Sequence, residues 1–315
     1  GALVVQVCAE EGTHYADASR ETFWQRRMLD SFDSHAQFSG AKVVLAAGYE
    51  SLPFDLGAAL ALRALDASKG GTAPVANATV TALVTSMRGD VHHLLRGAEN
   101  RTSLPPVGFT VDPYLLVPRA PCRPDTSDTW GNLRYDEDVG AWGLGHTAAD
   151  VNGRIVRRSL ELLGRRGISY REGMSMGSVL EALLFGLRWV GTTGISRPKP
   201  GKGIPAAVQH AGGWEARVVA RDEASGRMAR VDLRGRGDPG YMHTSRLLAE
   251  MGLCLLDASC YRAGVGGGVL TPVSAANPEA LAARLRVARH EDGSSLLAAD
   301  VADGGSSSSH GTGEL

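Results

Sequence analysis

Three short stretches gather side chains able to do chemistry. In VVLAAGYESLPFDLG, residues 43–57, an apolar run ends in a glycine turn, and Tyr49, Glu50 and Ser51 follow just before a helix start. In open α/β sheets ligands bind outside the carboxyl ends of the strands, so Gly48, Tyr49 and Glu50 are candidates to face a ligand. The same residues also have a structural use, with Ser51 capping the helix and Asp55 complementing its dipole. The residues alone leave both readings open.

The second stretch, THYADASRETFW at 13–24, ends a neighbouring strand-like segment and offers His14, Asp17 and Glu21 to the same edge. The third, RGRGDPGYMHTSRLLAE at 234–250, has a tight Asp238-Pro239-Gly240 turn, the Tyr241 hydroxyl and Thr244 at a helix start. Tyr241 and His14 are the candidate proton donors, though nothing in the spacing fixes either beside a substrate. Other chemistries find less support. Cysteines and histidines show no metal-ligand spacing, His92-His93 included, so no metal site is expected, and no GxSxG elbow marks a serine hydrolase.

These stretches need elements to position them. Residues 2–12 form an apolar helix-like segment, 13–19 a short strand, and 21–40 a helix with Trp24, Met28, Phe32 and Ala36 on one face, closed by Gly40. Residues 41–47 read as a strand covered on both faces, and 51–67 as a helix with Pro53 in its first turn. That order is half of a doubly wound sheet. Beyond Gly70-Gly71, residues 77–86 suit a strand or a short helix, 99–140 a long loop, 152–167 a helix, 168–174 a strand, 178–190 an apolar helix and 192–212 a loop. WEARVVARD and GRMARVDLRG alternate polar and apolar residues around EASG, as an antiparallel hairpin does. A helix over 241–258 follows, then one over 277–288 capped by Asn277 with Pro278 behind it.

Composition bounds the function. The 315 residues are 43% hydrophobic and 21% charged, as in globular proteins, and 33 basic against 34 acidic side chains leave no footprint for a nucleic-acid backbone. Cys8, Cys122, Cys254 and Cys260 form no framework, so they are expected to act as small hydrophobes in a reducing compartment. The stretch VLEALLFGLRWVG at 179–191 is too short and too charged to span a bilayer, but it leaves peripheral contact with a membrane or lipid droplet open beside a cytoplasmic location. The glycine- and serine-rich end has little to bury, and 296–315 is expected to be a disordered tail.

In sequence order, GTHY-A-D at 12–17, AAGYESLPFDLG at 46–57, KGGT at 69–72, DPYLLVP at 112–118, GRIVRRSLELL at 153–163, GIP at 203–205, GDPGY with Thr244 and LAE at 237–250, and GGGVLTP at 266–272 resemble the saccharopine dehydrogenase-like oxidoreductases, a group that includes trans-acting enoyl reductases. The resemblance runs over roughly residues 1–288. It implies an α/β protein with a Rossmann-like, doubly wound parallel sheet of which only part is present, and a second α/β domain with antiparallel strands. The implied organisation is a downstream Rossmann-like part at 1–68, a substrate domain at 69–262, and a segment at 263–295 that packs back on the first. It further implies NADP or NAD as cofactor, hydride transfer between that cofactor and an unidentified small-molecule or lipid-like substrate, and cofactor contact at Gly48, Tyr49 and Glu50.

Two positions depart from the family pattern, Glu50 in place of an aspartate and Arg20-Glu21 in place of glycine-glutamate. No strand followed by a GxGxxG loop occurs in the chain, which opens at Gly1 within an apolar segment. A chain lacking the upstream part of its cofactor domain is therefore expected, with most dinucleotide affinity absent from these residues alone, and whether they catalyse by themselves stays open. The alternative is a scaffold or a membrane-associated protein without cofactor. Substrate and oligomeric state are not specified by the sequence.

Overall fold

A computed structural model describes residues 1–70, 73–88, 112–117, 133–145, 148–178, 180–181, 204–290 and 292–304. Most of the apolar helix expected at 178–190, His92-His93, Cys122, the end of KGGT and most of the loop expected at 99–140 lie outside the described residues.

The front of the chain alternates as its apolar periodicity predicts. Helix α1 (Ala2–Glu11) ends on Gly12 in the left-handed conformation, strand β1 is Tyr15–Ala16, and α2 (Thr22–Ser39) closes on left-handed Gly40. Strand β2 (Lys42–Val44) and helix α3 (Leu52–Ser68) follow. Much further along, β9 (Gly268–Leu270) returns to pair parallel with β2, giving a three-stranded parallel sheet in the order β1-β2-β9. Met28, Leu29 and Ala36 of α2 cover this sheet together with Val5 and Ala9 of α1.

The second sheet has seven strands in the order β10-β8-β7-β3-β6-β5-β4. These are β3 (Ala78–Arg88), β4 (Arg134–Asp136), β5 (Ala141–Leu144), β6 (Ile168–Met176), β7 (Gly213–Asp222), β8 (Met228–Arg236) and β10 (Leu297–Gly304). Only β3 and β6 pair parallel; the remaining neighbours are antiparallel. The fold is thus α/β, a Rossmann-like parallel element joined to a second α/β unit with antiparallel strands. The ambiguous segment after residue 77 is a strand because alternate residues Ala78, Val80 and Ala82 bury fully against its neighbours.

The remaining helices are α4 (Ala149–Leu162), α5 (Ala206–Ala211), α6 (Thr244–Leu255), α7 (Pro272–Ala275) and α8 (Pro278–Val287). A turn of π-helix, Pro239–His243, leads into α6. Asn277 caps α8 as its sequence predicts, accepting from the Glu279 and Ala280 amides at 3.0 and 3.1 Å.

Four expectations need correction. The loop expected at 99–140 contains β4, which pairs antiparallel with β5, and the loop expected at 192–212 contains α5. Within the tail expected to be disordered, Leu297–Gly304 is a strand, because the open edge of β8 supplies main-chain partners and Asp300 bridges Arg234 and Arg286. Residues 305–315 of that tail lie outside the described residues. Finally, Cys254 and Cys260 are not lone hydrophobes: they form a disulfide from the last turn of α6 to the loop beyond it, while Cys8 is free. Among the described residues no helix is long and apolar enough to cross a membrane.

Helix α3 joins the two sheets. Every residue from Leu52 to Leu62 is buried, and the helix packs on β3, β7 and β8 of the large sheet as well as on α4, α7 and α8. At Gly57 the approach is so close that a Cβ would meet Val218 Cγ2 at 2.8 Å and Leu233 Cδ1 at 2.9 Å. Asp55 in the first turn is 1% exposed and accepts from the Val273 amide of α7 at 3.1 Å. Its carboxyl therefore ties α3 to α7, beyond the dipole role expected for it. Burial pushes the Asp55 carboxyl up to about 7, against the opposing hydrogen bonds from Ser159 and Val273.

In the unfolded chain Asp55 loses its proton near 4, but in the fold it keeps it to about 7, so its contribution to stability falls as pH rises across that window, by about 1.4 kcal/mol per unit. The neutral variant Asp55→Asn should escape this slope. Urea unfolding at pH 5 and pH 8 is expected to show the variant gaining on wild type at pH 8, whereas the same gap at both values would contradict a buried, proton-retaining carboxyl.

Candidate functional site

The cleft lies at the carboxyl ends of β1 and β2, the edge where parallel sheets bind ligands. Asp17, one residue past β1, builds that edge. Its main chain donates to Val44 O (3.1 Å) and accepts from Ala47 N (2.7 Å), while Oδ1 accepts from the Ser19 amide and hydroxyl and, at 3.3 Å, from Ala46 N. This web holds Ala46 at a φ of 60°, a left-handed conformation that costs a non-glycine residue about 1–2 kcal/mol. The strained turn swings the chain out of β2 and delivers Gly48–Ser51 to the start of α3.

A cleft of about 360 Å³, counting space open to solvent, is lined by Ser19, Arg20, Gly48, Tyr49, Glu50 and Ser51 on one side and by Gly240 and Thr244 on the other. The three stretches singled out in the sequence therefore converge. Gly48 is required where the two sides meet: a Cβ there would lie 2.9 Å from Thr244 Cγ2 and 3.1 Å from Ala18 Cβ. Thr244 Oγ1 completes the junction, accepting from Tyr49 N at 3.1 Å and donating to Pro239 O at 2.8 Å.

Several candidates take other places. His14 Nδ1 accepts from Lys42 N at 3.2 Å, so the imidazole ties β2 to the turn before β1 and stays out of the cleft. Asp17 is spent on the edge just described, and Glu21 sits exposed at the N-cap of α2. Tyr241 is 47% exposed and is absent from the cleft lining; its amide donates to Asp238 Oδ2 at 2.9 Å. Neither candidate proton donor stands in the cleft. Ser51 occupies the N-cap of α3 without a side-chain cap bond, and its hydroxyl donates instead to Asn152 Oδ1 at 3.0 Å. Asn152 Nδ2 donates on to Glu172 Oε1 (2.7 Å), whose other oxygen accepts from Tyr170 Oη (2.6 Å). This buried chain runs from the cleft floor into β6, and its members sit on three separate elements, so no local sequence signal marks it.

Arg20 and Glu50 form an ion pair at the cleft wall, with side chains 20% and 9% exposed. The pair puts a cation and an anion together where either alone would leave a largely buried charge uncompensated.

Behind the loop, Tyr49 inserts its ring among Trp214, Phe54 and His243, at centroid distances of 4.8, 6.0 and 6.2 Å. The ring anchors the turn whose main chain faces the cleft. Burial, then Glu172 and Glu50, push the Tyr49 hydroxyl well up, so it stays protonated. Burial first and His290 second hold His243 down at about 3, leaving a neutral imidazole. Trp214 and His243 both rest on Gly235, where a Cβ would meet Trp214 Nε1 at 2.3 Å and His243 Cε1 at 2.8 Å.

Gly48→Ala should cost about 1–3 kcal/mol by overpacking against Thr244 and Ala18. Adding Thr244→Ser removes the clashing methyl but keeps the hydroxyl under Tyr49 N, so a double-mutant cycle is expected to recover part of the loss. Strictly additive losses would argue against the contact.

No protein-family model matches the chain. It is 32% identical over 321 residues to a candidate trans-acting enoyl reductase of Mycobacterium tuberculosis, covering 91% of this chain and 75% of the relative. The trans-acting enoyl reductases of Mycobacterium bovis strain BCG (31% over 320 residues) and Mycobacterium ulcerans (30% over 321) match to the same extent, each with 90% of this chain and 75% of the relative. At this identity and coverage, the chain belongs to the family of the trans-acting enoyl reductases, within the saccharopine dehydrogenase-like oxidoreductases.

Proposed function

We propose that the protein is an oxidoreductase that reduces a carbon–carbon double bond conjugated to a carbonyl, with NADPH or NADH as hydride source and a lipid-like substrate. The observation that carries this reading is the position of the cleft. It sits at the carboxyl edge of the parallel sheet in a member of a family whose characterised names describe enoyl reduction.

The residues fit one end of a nicotinamide nucleotide. Gly48 lets the main chain approach closely, and the N-terminus of the 17-residue helix α3 favours negative charge. The cleft hydroxyls have their protons committed inward: Ser19 Oγ donates to Asp17, Ser51 Oγ to Asn152 and Thr244 Oγ1 to Pro239. They therefore present lone pairs to a ligand, which suits a carboxamide N–H or a ribose hydroxyl. Glu50 and Arg20, paired at the wall, set the charge beside it.

When bound, the nicotinamide would supply the hydride to the β-carbon and a solvent proton would complete the α-carbon; the chain's part is to hold the acceptor carbon. Gly48, Tyr49 and Glu50 are the residues we assign to cofactor contact. Tyr49 acts through its main chain, since its hydroxyl is buried in the aromatic cluster.

Titrating the full-length protein with NADPH and with NADH by cofactor fluorescence tests the reading. Saturable binding is expected, weakened about tenfold or more by Gly48→Ala, and mixing with a short 2-enoyl thioester should then consume the reduced cofactor. Absence of binding by both nucleotides would reject the assignment and turn attention to a scaffold role.

A further inference from the structure

The buried chain behind Ser51 has a direction, and that direction reaches the cleft. Asn152 on α4 and Glu172 on β6 are 0% and 2% exposed, so they answer to protein partners and not to bulk solvent. Glu172 accepts from two sides, from Asn152 Nδ2 at 2.7 Å and from Tyr170 Oη at 2.6 Å. The Tyr170 phenol keeps its proton, since burial and then the charge of Glu172 push it well above the usual range.

A carboxylate can only accept, so Asn152 turns its nitrogen towards Glu172 and its oxygen towards Ser51. The Ser51 hydroxyl then has to donate inward, at 3.0 Å, and keeps only lone pairs for the cleft. Were Glu172 not acceptor-only, the amide could face either way and Ser51 could donate in either direction. The chain carries no proton. A side-chain amide neither gives nor takes one in this role, so Asn152 separates Ser51 from the acid behind it. What passes along the chain is orientation, which suits recognition and not proton transfer.

We propose that Glu172 and Asn152 are positioning residues that make Ser51 an obligate acceptor, so that the cleft selects the carboxamide N–H of a nicotinamide. A ribose hydroxyl can turn to suit either polarity, whereas an amide nitrogen can only donate, so the device matters for the carboxamide. The identity of that group rests on the oxidoreductase reading; the polarity of Ser51 does not.

Two isosteric exchanges test the direction. In Glu172→Gln the side chain keeps its shape and gains a donor. The Tyr170 hydroxyl needs the new amide's oxygen, so its nitrogen faces Asn152, which flips and turns its own nitrogen to Ser51. Ser51 then donates into the cleft. Adding Asn152→Asp swaps amide and carboxylate between the two positions and makes Ser51 an acceptor again. The readout is titration of the full-length protein with NADH and NADPH, each against its 3-acetylpyridine analogue, which has a methyl group in place of the amide nitrogen. Wild type is expected to prefer the carboxamide about tenfold, the worth of one buried hydrogen bond. Glu172→Gln should remove that preference and the double variant should restore it. If the two residues only support the fold, both affinities would move together and the ratio would stay, which would overturn the proposal. Equal affinity of wild type for a dinucleotide and its analogue would overturn it too.

Urea unfolding at pH 8 without dinucleotide tests the direction apart from the functional reading. Asn152→Asp alone puts two carboxylates within hydrogen-bond reach in the core and should lower the folded-to-unfolded ratio about a hundredfold or more. Glu172→Gln should recover most of that loss. Tolerance of Asn152→Asp by itself would mean that Glu172 carries a proton and donates to position 152, contradicting the proposal. Rescue in urea by a protein that binds neither dinucleotide would keep Ser51 as an acceptor and remove only the oxidoreductase reading.

Discussion

The structure depends on the burial of one helix from all sides. Helix α3 serves as a partner to the large sheet through Gly57 and the apolar residues around it, and to α4, α7 and α8 through its other faces. Its leucine- and alanine-rich sequence supplies the required narrow, charge-poor cylinder, and its one buried acid, Asp55, is held by an amide of α7. Because α3 is immobilised along its length, its N-terminus is a fixed point in the molecule. The loop Gly48–Ser51 hangs from that fixed point, and the cleft is consequently the place where both sheets meet.

Precision at the cleft comes from contacts between residues far apart in the chain. Asp17 converts the end of β1 into a clamp on the strained turn after β2, and Thr244 locks that turn to the entrance of α6. Ser51, Asn152, Glu172 and Tyr170 carry the same function to the far side, linking the cleft floor to β6. A buried chain of this kind is costly when a single member is lost, since the neighbours are then left unsatisfied. The Arg20–Glu50 pair follows the same logic in charge: two largely buried charges are stable together because each neutralises the other.

Much of this was legible in the sequence where the cause is local. The Asn277 cap and Pro278, the Gly40 stop, the β7–β8 hairpin and the apolar face of α2 depend on residues within a turn or two of one another, and the structure contains each. Gly48, Tyr49, Glu50 and Thr244 were recognisable as polar or flexible residues at strand and helix ends. What escaped depends on distant partners. Strand β10 is short of large apolar residues and exists because β8 has an open edge, β4 is held by pairing with β5, and the Cys254–Cys260 bond follows from the way the chain turns after α6. The sequence shows His14 and Tyr241 as reactive groups but not that one would be tied to β2 and the other turned to solvent.

The proposed function requires that the cleft lined by residues 18–20, 46, 48–51, 240 and 244 receives the nicotinamide end of the cofactor. Hydrogen–deuterium exchange of the full-length protein, with and without saturating NADPH, addresses it most directly. Slower exchange confined to peptides covering those three segments is the predicted result. Protection located elsewhere, with these segments unchanged, would contradict it.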